Sequence, residues 1–336
     1  MVIAKKYILT KHFQGVPKRS DLKIVEEELP ALQDGEYLIK AEYLSVDPYM
    51  RIYISRYPVG SVMIGIQVGK VIESKHEDFP VGRYVVANAG WRTHTIIDGN
   101  KGTGRTLVPE YLLPDSNDFP VSTGLGVLGM PGNTAYFGLI ELCQPKAGET
   151  LVVSGAAGAV GSHVGQIGKI LGLKVIGIAG TDAKCKWLRE ELGFDHTINY
   201  KTQDVAVALR ETAVDKVDCY FDNVGGEISS IVINQMNQFG RVAVCGSISS
   251  YNTDANALPK ATIIQPALLL SQLKIEGFVV GRWADRWMEG IEQNLKWLKE
   301  NKLKYKETVT EGFENMFDAF VEMLHGENTG KAVVKA

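Results

Sequence analysis

The sequence predicts an α/β protein in which a β-rich segment is followed by a doubly wound parallel sheet covered by helices. Three patterns support this class: period-two alternation in the first third, strand-like apolar runs at intervals of roughly 25 residues further on, and helical apolar spacing between those runs. The 336 residues suggest two domains of about 150 residues each. With 45% hydrophobic and 22% charged residues, the composition excludes a disordered, collagenous or coiled-coil chain.

The first part of the chain contains short alternating segments. Residues 36–46, 63–73 and 84–89 alternate apolar and polar side chains, and Pro, Gly and Asp separate them. This pattern is typical of half-buried strands joined by turns. It predicts a compact β-rich domain.

The second part alternates strands with helices. Apolar runs begin near Leu151, Val175, Thr197, Val217, Val242 and Ile275. They are mostly apolar on both faces, as in parallel strands covered by helices on each side. The spacing of Val160, Val164, Ile167 and Leu171 predicts a helix directly after the first run.

The last residues predict a return to the first domain. Residues 287–301 and 313–324 have amphipathic helical spacing, and residues 331–335 form a short apolar strand. If that strand pairs with the N-terminal β segment, the first domain is discontinuous. We therefore expect one domain of residues 1–122 and 301–336 and a second of residues 123–300.

Charge and cysteine content exclude several classes of partner. The chain has 36 Lys and Arg against 39 Asp and Glu, a net charge of −3, so no basic surface for nucleic acid or membrane is expected. The four cysteines lack C-x-x-C spacing, which favours buried free thiols in a reducing compartment. With no apolar stretch that fits a signal peptide, we expect a cytoplasmic protein.

The glycine-rich segment after the strand at residue 151 is the most informative motif. The run Gly155-Ala-Ala-Gly-Ala-Val-Gly161 joins that strand to the following helix. N–H groups and partial positive charge at a helix N-terminus suit a pyrophosphate. Gly158 would let the backbone approach the phosphates, and Gly161 would let the helix pack against the strand. Because Ala156 replaces the first glycine of G-x-G-x-x-G, the motif predicts a dinucleotide site only together with its strand and helix.

The end of the next strand indicates which dinucleotide is bound. NAD enzymes usually place Asp or Glu about 20 residues past the loop, on the ribose 2′-hydroxyl. Here the strand ends in Gly180-Thr-Asp-Ala-Lys184. A lysine and a hydroxyl fit a 2′-phosphate, which a carboxylate would repel, so we expect NADPH. The alternative, with Lys184 as a solvated surface lysine and Asp182 on the ribose, stays open.

Later strand ends complete the predicted site, because ligands of such sheets bind at the carboxyl ends of the strands. Asn223 offers an amide near the ribose, and Gly225-Gly226 permits close approach. Residues 245–251 offer backbone to the nicotinamide, and Phe278–Val280 would wall it. The Tyr251 phenol could donate a hydrogen bond to a developing enolate oxygen. The alternative for Tyr251 is a packed ring with a solvated hydroxyl.

Several other chemistries lack their motifs. There is no G-x-S-x-G or H-E-x-x-H, and the six histidines are scattered, with His163 in the loop helix expected to be structural. No cluster of His, Cys or Glu at strand ends offers a catalytic zinc site, so we expect no metal. Hydride transfer without a Lewis acid favours conjugate reduction over the interconversion of simple alcohols and carbonyls.

Together these segments resemble a known family. The glycine loop, Val46–Arg51, residues 129–138, Phe221–Gly226 and Gly312–Asn315 are similar to the zinc-independent medium-chain dehydrogenase/reductases, and within them to the prostaglandin and alkenal double-bond reductases. The resemblance extends from Asp47 to the terminal Gly330-Lys-Ala-Val-Val-Lys. It implies a GroES-like domain, a Rossmann domain and a cytosolic homodimer.

The activity that the resemblance implies is NADPH-dependent reduction of the carbon–carbon double bond of α,β-unsaturated ketones and aldehydes. Substrates would include 15-oxoprostaglandins and alkenals, with NADP-dependent oxidation of hydroxy-leukotrienes as a further reaction. The hydride would reach the β-carbon, while Tyr251 and a ribose hydroxyl stabilise the enolate. Tyr49 would lie beside the substrate as a second catalytic residue.

The resemblance also implies the cofactor contacts, with Lys184 and Tyr200 flanking the 2′-phosphate. The full implied set is Ala157, Gly158, Ala159, Val160, Gly161, Lys184, Tyr200, Asn223, Cys245, Gly246, Ser247, Ile248, Ser249, Tyr251, Phe278, Val279, Val280 and Asn328.

Two departures leave the substrate open. Relatives often carry a substrate-contacting tyrosine eight residues before the position of Phe278, where this chain has Leu270, and residues 252–266 also depart from the family pattern. The alternatives are an NADPH quinone reductase, a prostaglandin-alcohol dehydrogenase working in reverse, and a non-catalytic NADPH-binding protein.

Overall fold

The computed structural model describes residues 2–103, 108–115, 118–253 and 260–336. Its internal contacts divide the chain into two compact units, Met1–Met130 with Glu307–Ala336, and Pro131–Lys306. The domain limits expected from the sequence lie a few residues before these boundaries. Within the described ranges, no helix is long and apolar enough to cross a membrane.

The first unit is built on antiparallel strands, in agreement with its period-two segments. The expected strand at residues 63–73 begins later, at Gln67, and the hairpin of β1 and β2 was not predicted. The elements up to residue 130 are β1 (Val2–Leu9), β2 (Leu22–Leu29), β3 (Glu36–Ser45), α1 (Tyr49–Tyr53), β4 (Gln67–Ser74), β5 (Tyr84–Ala87), β6 (His94–Asp98) and β7 (Tyr111–Leu112).

The core of the first unit holds the short helix α1 in place. Met50 of α1 is fully buried in a cluster with Leu9, Leu44 and Trp91. Burying such a side chain stabilises the fold by about 1.5–3 kcal/mol. This contact fixes the helix at whose first position Tyr49 lies half-buried.

The second unit is a parallel sheet with helices between its strands, as the alternating rhythm predicted. Every residue of β8 is buried, which explains its continuous apolar sequence. The elements are α2 (Met130–Phe137), β8 (Thr150–Ser154), α3 (Ala159–Ile170), β9 (Lys174–Ala179), α4 (Asp182–Glu190), β10 (His196–Asn199), α5 (Val205–Thr212), β11 (Val217–Asp222), α6 (Gly226–Ile233), β12 (Met236–Val244), α7 (Gln265–Leu270), β13 (Lys274–Gly277) and α8 (Trp287–Lys299).

The strand order of this sheet is β10-β9-β8-β11-β12-β13, and the paired strands are parallel. The chain moves outward from β8 in one direction through β9 and β10, then returns to the other side of β8 at β11. Such a reversal is the position at which open α/β sheets bind ligands, beyond the carboxyl ends of the strands. Here that position lies between β8 and β11.

The last residues return to the first unit. They form β14 (Glu307–Glu311), α9 (Met316–Leu324) and β15 (Lys331–Lys335), and a 3-10 turn over Phe313–Asn315 replaces the start of the helix expected at residue 313. The strand β15 pairs with β3, with Val333 opposite Ser45. The predicted pairing of the closing strand with the N-terminal β segment is therefore confirmed.

A buried ion pair reinforces this closure. The Lys331 ammonium donates to the Asp47 carboxylate at 2.9 Å and to the Val46 carbonyl at 2.7 Å, with the Lys331 side chain only 2% exposed. Burial lowers the pKa of Lys331, whereas Asp47 raises it in part. The pair connects the last strand to the segment that enters α1.

Candidate functional site

The glycine loop adopts the geometry of a tight strand–helix turn. Gly155 has φ +59°, a left-handed conformation that favours glycine, and Gly158 precedes the first residue of α3. A Cβ at Gly161 would lie 2.4 Å from the carbonyl oxygen of Gly155 and 2.8 Å from Cα of Ala156. Those are backbone atoms, so α3 approaches the loop this closely only because residue 161 has no side chain.

The first turn of α3 is the candidate phosphate contact. Its N–H groups have no acceptor earlier in the helix, and the helix dipole adds partial positive charge there. Ala157 is buried, whereas Ala159 and Val160 are half-buried at the surface of the turn. Their backbone is therefore placed to receive an anionic group.

Asp222, at the carboxyl end of β11, organises the adjoining loops. Its Oδ1 accepts hydrogen bonds from the Ser154 hydroxyl at 3.0 Å and the Tyr220 hydroxyl at 2.8 Å. The N–H groups of Val224 and Gly225 donate to the same oxygen at 3.0 and 2.9 Å. Asp222 is 2% exposed, so these donors replace water around a buried carboxylate.

Sequence reasoning missed this role of Asp222. It identified residues 221–226 as a site segment but assigned the chemistry to Asn223 and the two glycines. In the structure, Asn223 Nδ2 donates to the Ser154 carbonyl at 2.8 Å, which joins β8 to β11. The sequence did carry a signal for this role of Asp222: an acidic residue at the end of an apolar strand, shortly before two glycines.

The segment after β12 folds onto the same turn. The Cys245 N–H donates to the Asp222 carbonyl at 2.8 Å, and the Ser249 N–H donates to the Val224 carbonyl at 3.1 Å. A 3-10 turn, Ile248–Ser250, leads to Tyr251. These bonds place the predicted nicotinamide segment at the carboxyl end of the sheet.

Tyr251 is half-buried and its hydroxyl is engaged with the backbone. The Ser247 N–H donates to the Tyr251 hydroxyl oxygen at 3.1 Å. A Cβ at Gly246 would lie 3.1 Å from that oxygen, so the small residue permits the approach. A phenol can both accept a hydrogen bond at its oxygen and donate one through its proton.

Lys184 lies in α4 after β9, and Tyr200 directly follows β10. The Thr181 hydroxyl accepts a hydrogen bond from the Lys184 N–H at 3.2 Å. Thr181 is therefore the N-cap residue at which α4 begins. The Tyr200 ring contacts Gly180, where a Cβ would lie 3.0 Å from a ring carbon. Burial, and secondly the charge of Lys201, lower the pKa of Lys184.

Phe278–Val280 lie at the end of β13. The Phe278 ring meets the Phe221 ring edge-on, with centroids 6.0 Å apart. Val279 is 47% exposed, whereas Val280 is only 3% exposed. If Val280 contacts a cofactor, it does so through its backbone rather than its side chain.

Two of the expected site residues belong to the first unit. The Tyr49 ring lies edge-on to Tyr53, with centroids 5.9 Å apart. The Asn328 amide donates to the Gly330 carbonyl at 2.8 Å, in the turn before β15. The other expected residues belong to the second unit, at the glycine loop and the carboxyl ends of its strands.

The cysteines offer no metal site. Cys143, Cys185 and Cys219 are buried as expected, whereas Cys245 is half-buried because it lies in the loop after β12. In the part of the chain that the structure describes, no three His, Cys, Asp or Glu residues form a group that could hold a metal ion.

The two departures from the family pattern lie near each other in the chain. Leu270 is 77% exposed on α7. Of the divergent segment 252–266, residues 254–259 lie outside the described ranges.

Two family models match the chain. Residues 5–104 match the N-terminal domain of oxidoreductase, and residues 159–300 match a model described as zinc-binding dehydrogenase. A structural or catalytic zinc needs three or four clustered N, S or O ligands. The donor set of the described residues does not fit that metal.

Individual relatives match along nearly the whole chain. Prostaglandin reductase 1 of Bos taurus is 49% identical over 338 residues, covering 100% of both chains. The NADPH-dependent curcumin reductase of Escherichia coli is 37% identical, covering 98% of this chain and 96% of its own. The crystal structure of CurA from Vibrio vulnificus in complex with NADPH superimposes with a TM-score of 0.90 at 38% identity, covering 99% of each chain.

Proposed function

Because the chain belongs to the medium-chain dehydrogenase/reductase family, we propose that it is an NADPH-dependent reductase of the carbon–carbon double bond in α,β-unsaturated ketones and aldehydes. The observation that carries this proposal is the match to prostaglandin reductase 1 at 49% identity over the full length of both chains. An end-to-end match includes the segments that bind cofactor and substrate.

The second unit fits a dinucleotide on its own geometry. Gly155 and Gly161 allow the close strand–helix turn, and the first-turn N–H groups of α3 bind the pyrophosphate. We assign Asn223, Cys245–Tyr251 and Phe278–Val280 of this unit to the remainder of the cofactor. Asp222 keeps the strand-end loops in place through its hydrogen bonds.

The 2′-phosphate subsite is formed by Lys184 and Tyr200. Lys184 supplies positive charge, and Tyr200 supplies a ring that is 45% exposed. Asp182, the alternative ribose ligand, is held by the side chain of Asn199 at 2.7 Å. This arrangement favours NADPH over NADH.

When bound, the reduced nicotinamide supplies a hydride. The chain contributes charge stabilisation: Tyr251 donates a hydrogen bond to the substrate oxygen, which gains negative charge as the β-carbon is reduced. Solvent supplies the proton that the α-carbon gains. The Ser247 N–H fixes the Tyr251 oxygen for this purpose. Tyr49 is the second residue that we assign to the substrate.

The test is NADPH consumption, followed at 340 nm, against a matched panel. The panel pairs each enone and alkenal with its saturated ketone or aldehyde and includes quinones. Oxidation of NADPH with enones, but not with the saturated analogues, supports the proposal. NADPH binding without oxidation by any enone overturns it in favour of a non-catalytic protein, and faster turnover of quinones overturns it in favour of a quinone reductase.

We further propose that the protein acts as a cytoplasmic homodimer without zinc. Sedimentation at micromolar concentration should give twice the mass of 36.9 kDa. Elemental analysis should find less than stoichiometric zinc, and a chelator should leave turnover unchanged. A monomeric mass would overturn the homodimer. Bound zinc, or inhibition by the chelator, would overturn the zinc-independence.

A further inference from the structure

Asn199, at the end of β10, joins two residues that have opposite effects on an anion. Its Nδ2 donates to Asp182 Oδ1 at 2.7 Å, and its Oδ1 accepts from the Lys201 N–H at 3.1 Å. Donation to a carboxylate and acceptance from a backbone N–H fix which end of the amide is which. Asn199 is only 5% exposed, whereas Asp182 at the other end of the bond is an exposed residue.

Asp182 is the acidic residue whose negative charge would weaken the binding of a 2′-phosphate. It lies in the first turn of α4, two residues before Lys184, where a carboxylate is the usual partner of a ribose 2′-hydroxyl. A carboxylate near a phosphate dianion repels it, with an energy that rises as water is excluded. The bond to Asn199 holds this carboxylate against the end of β10.

The same amide also restrains the backbone that follows β10. In the parallel pairing of β9 and β10, Asn199 lies opposite Ala179, and the Tyr200 N–H donates to the Ala179 carbonyl at 3.1 Å. This register brings the residues after β10 beside the start of α4. Lys201 is close enough to Lys184 to lower its pKa, secondary to the effect of burial.

We propose that Asn199 is a positioning residue for cofactor selectivity: it holds Asp182 away from the 2′-phosphate. This inference rests on the proposed function, in which the 2′-phosphate binds at Lys184. Sequence reasoning assigned Asn199 no role. Its contribution depends on a side-chain contact between segments that lie about 17 positions apart, the separation of Asp182 and Asn199.

The test compares two cofactor fragments, 2′,5′-ADP and 5′-AMP, by isothermal titration calorimetry. In Asn199→Ala, the preference for 2′,5′-ADP should fall about 10-fold, as expected for the loss of one charge interaction of moderate strength. The ratio of kcat/KM for NADPH to that for NADH should fall in parallel. In the double variant Asn199→Ala, Asp182→Asn, both ratios should recover, because the repelling carboxylate is gone.

The matched control is Asn237→Ala. Asn237 Nδ2 donates to Asp218 Oδ1 at 2.8 Å, the same type of amide–carboxylate bond near the amino ends of the strands. Its removal should leave both ratios unchanged. An equal loss in the control would show a general effect of destabilisation and overturn the positioning role.

A sterically conservative variant covers the case in which Asn199→Ala fails to fold. Asn199→Asp has the same shape but repels Asp182, so the preference should fall further, and Asp182→Asn should restore it by re-forming a bond with the donor and acceptor exchanged. Unchanged ratios in a folded Asn199 variant, or a loss that Asp182→Asn does not restore, overturn the inference. If the wild-type chain shows no preference for 2′,5′-ADP, the NADPH assignment itself fails before any variant is made.

Discussion

Charged side chains have different kinds of partner at the two ends of the parallel sheet. Toward the amino ends, Arg241 pairs with Glu149 at 2.5 Å and Lys174 pairs with Asp215 at 2.6 Å. At the carboxyl ends, the buried carboxylate of Asp222 is satisfied by uncharged donors, and Lys201 lowers the pKa of nearby Lys184.

This contrast separates stability from binding. A cation paired with a carboxylate of the same chain stabilises the folded state and has little attraction left for a ligand. Backbone N–H groups at a helix N-terminus and the positive charge of lysine side chains attract anions. We therefore expect substitutions at the two ends to affect different properties, and the following predictions test that separation.

The largest effect is expected at Gly161. In Gly161→Ala, the new Cβ would lie 2.4 Å from the Gly155 carbonyl oxygen, so the loop and α3 must separate. We expect NADPH affinity to fall at least about 100-fold, or about 3 kcal/mol. Fluorescence titration with NADPH measures this. Gly277→Ala is the control, because no atom lies within 4 Å of its added Cβ; equal affinities in the two variants would contradict the prediction.

The next effect concerns the amino ends. Arg241→Met leaves Glu149 without its cation, and both side chains are less than 20% exposed, so we expect a loss of about 2 kcal/mol in the free energy of unfolding. NADPH affinity should not change.

The matched substitution at the carboxyl ends is Lys184→Ala. It should weaken NADPH binding while changing unfolding by less than about 0.5 kcal/mol. Urea unfolding and NADPH titration on both variants measure the two properties. A shared loss of both properties would abolish the separation.

A smaller effect is expected on turnover from Tyr251→Phe. The variant keeps the ring but removes the proposed hydrogen bond to the substrate oxygen, so kcat should fall about 10-fold. The dissociation constant for NADPH should stay the same. Steady-state kinetics with an enone, together with NADPH titration, check both; wild-type turnover would remove Tyr251 from the mechanism.

The smallest effect is a pH dependence of stability from His163 in α3. Burial lowers the pKa of His163 to about 4, below its ordinary value of 6.5. The unfolded chain therefore takes up this proton first, and stability is lost as the pH falls from 6.5 toward 4.

Between pH 7.5 and 5.5, we expect His163 to account for a loss of about 1 kcal/mol. Urea unfolding at the two pH values measures it, with His163→Gln as the reference that cannot titrate. An identical pH dependence in both proteins would exclude the contribution of His163.

Local pattern predicted the elements whose environment is uniform along the chain. The strands β8, β9 and β11 are buried on both faces, so their sequences are mostly apolar and recognisable. The hairpin of β1 and β2 escaped prediction, since its burial alternates irregularly. Its partner residues are also separated by a long loop, which gives no hairpin turn signal.

The candidate site was predictable where one short segment carries the chemistry. The glycine loop and Lys184 each lie in a single strand–turn–helix unit, and the structure gives both the expected local geometry. The roles of Asp222 and Asn199 were not predictable, because each depends on hydrogen bonds between different strand ends. Ser154 and Asp222, for example, are 68 positions apart.

The sequence by itself determined the fold class, the glycine-rich strand–helix turn and the closing strand, because periodicity, glycine placement and apolar runs act within one or two elements. Only the tertiary structure decided which polar groups are bound to one another: Asp222 to the strand-end loops, Asp182 to Asn199, and Lys331 to Asp47. The physical reason is that a buried polar side chain must find a partner wherever the packed chain brings one, and sequence distance does not specify that partner.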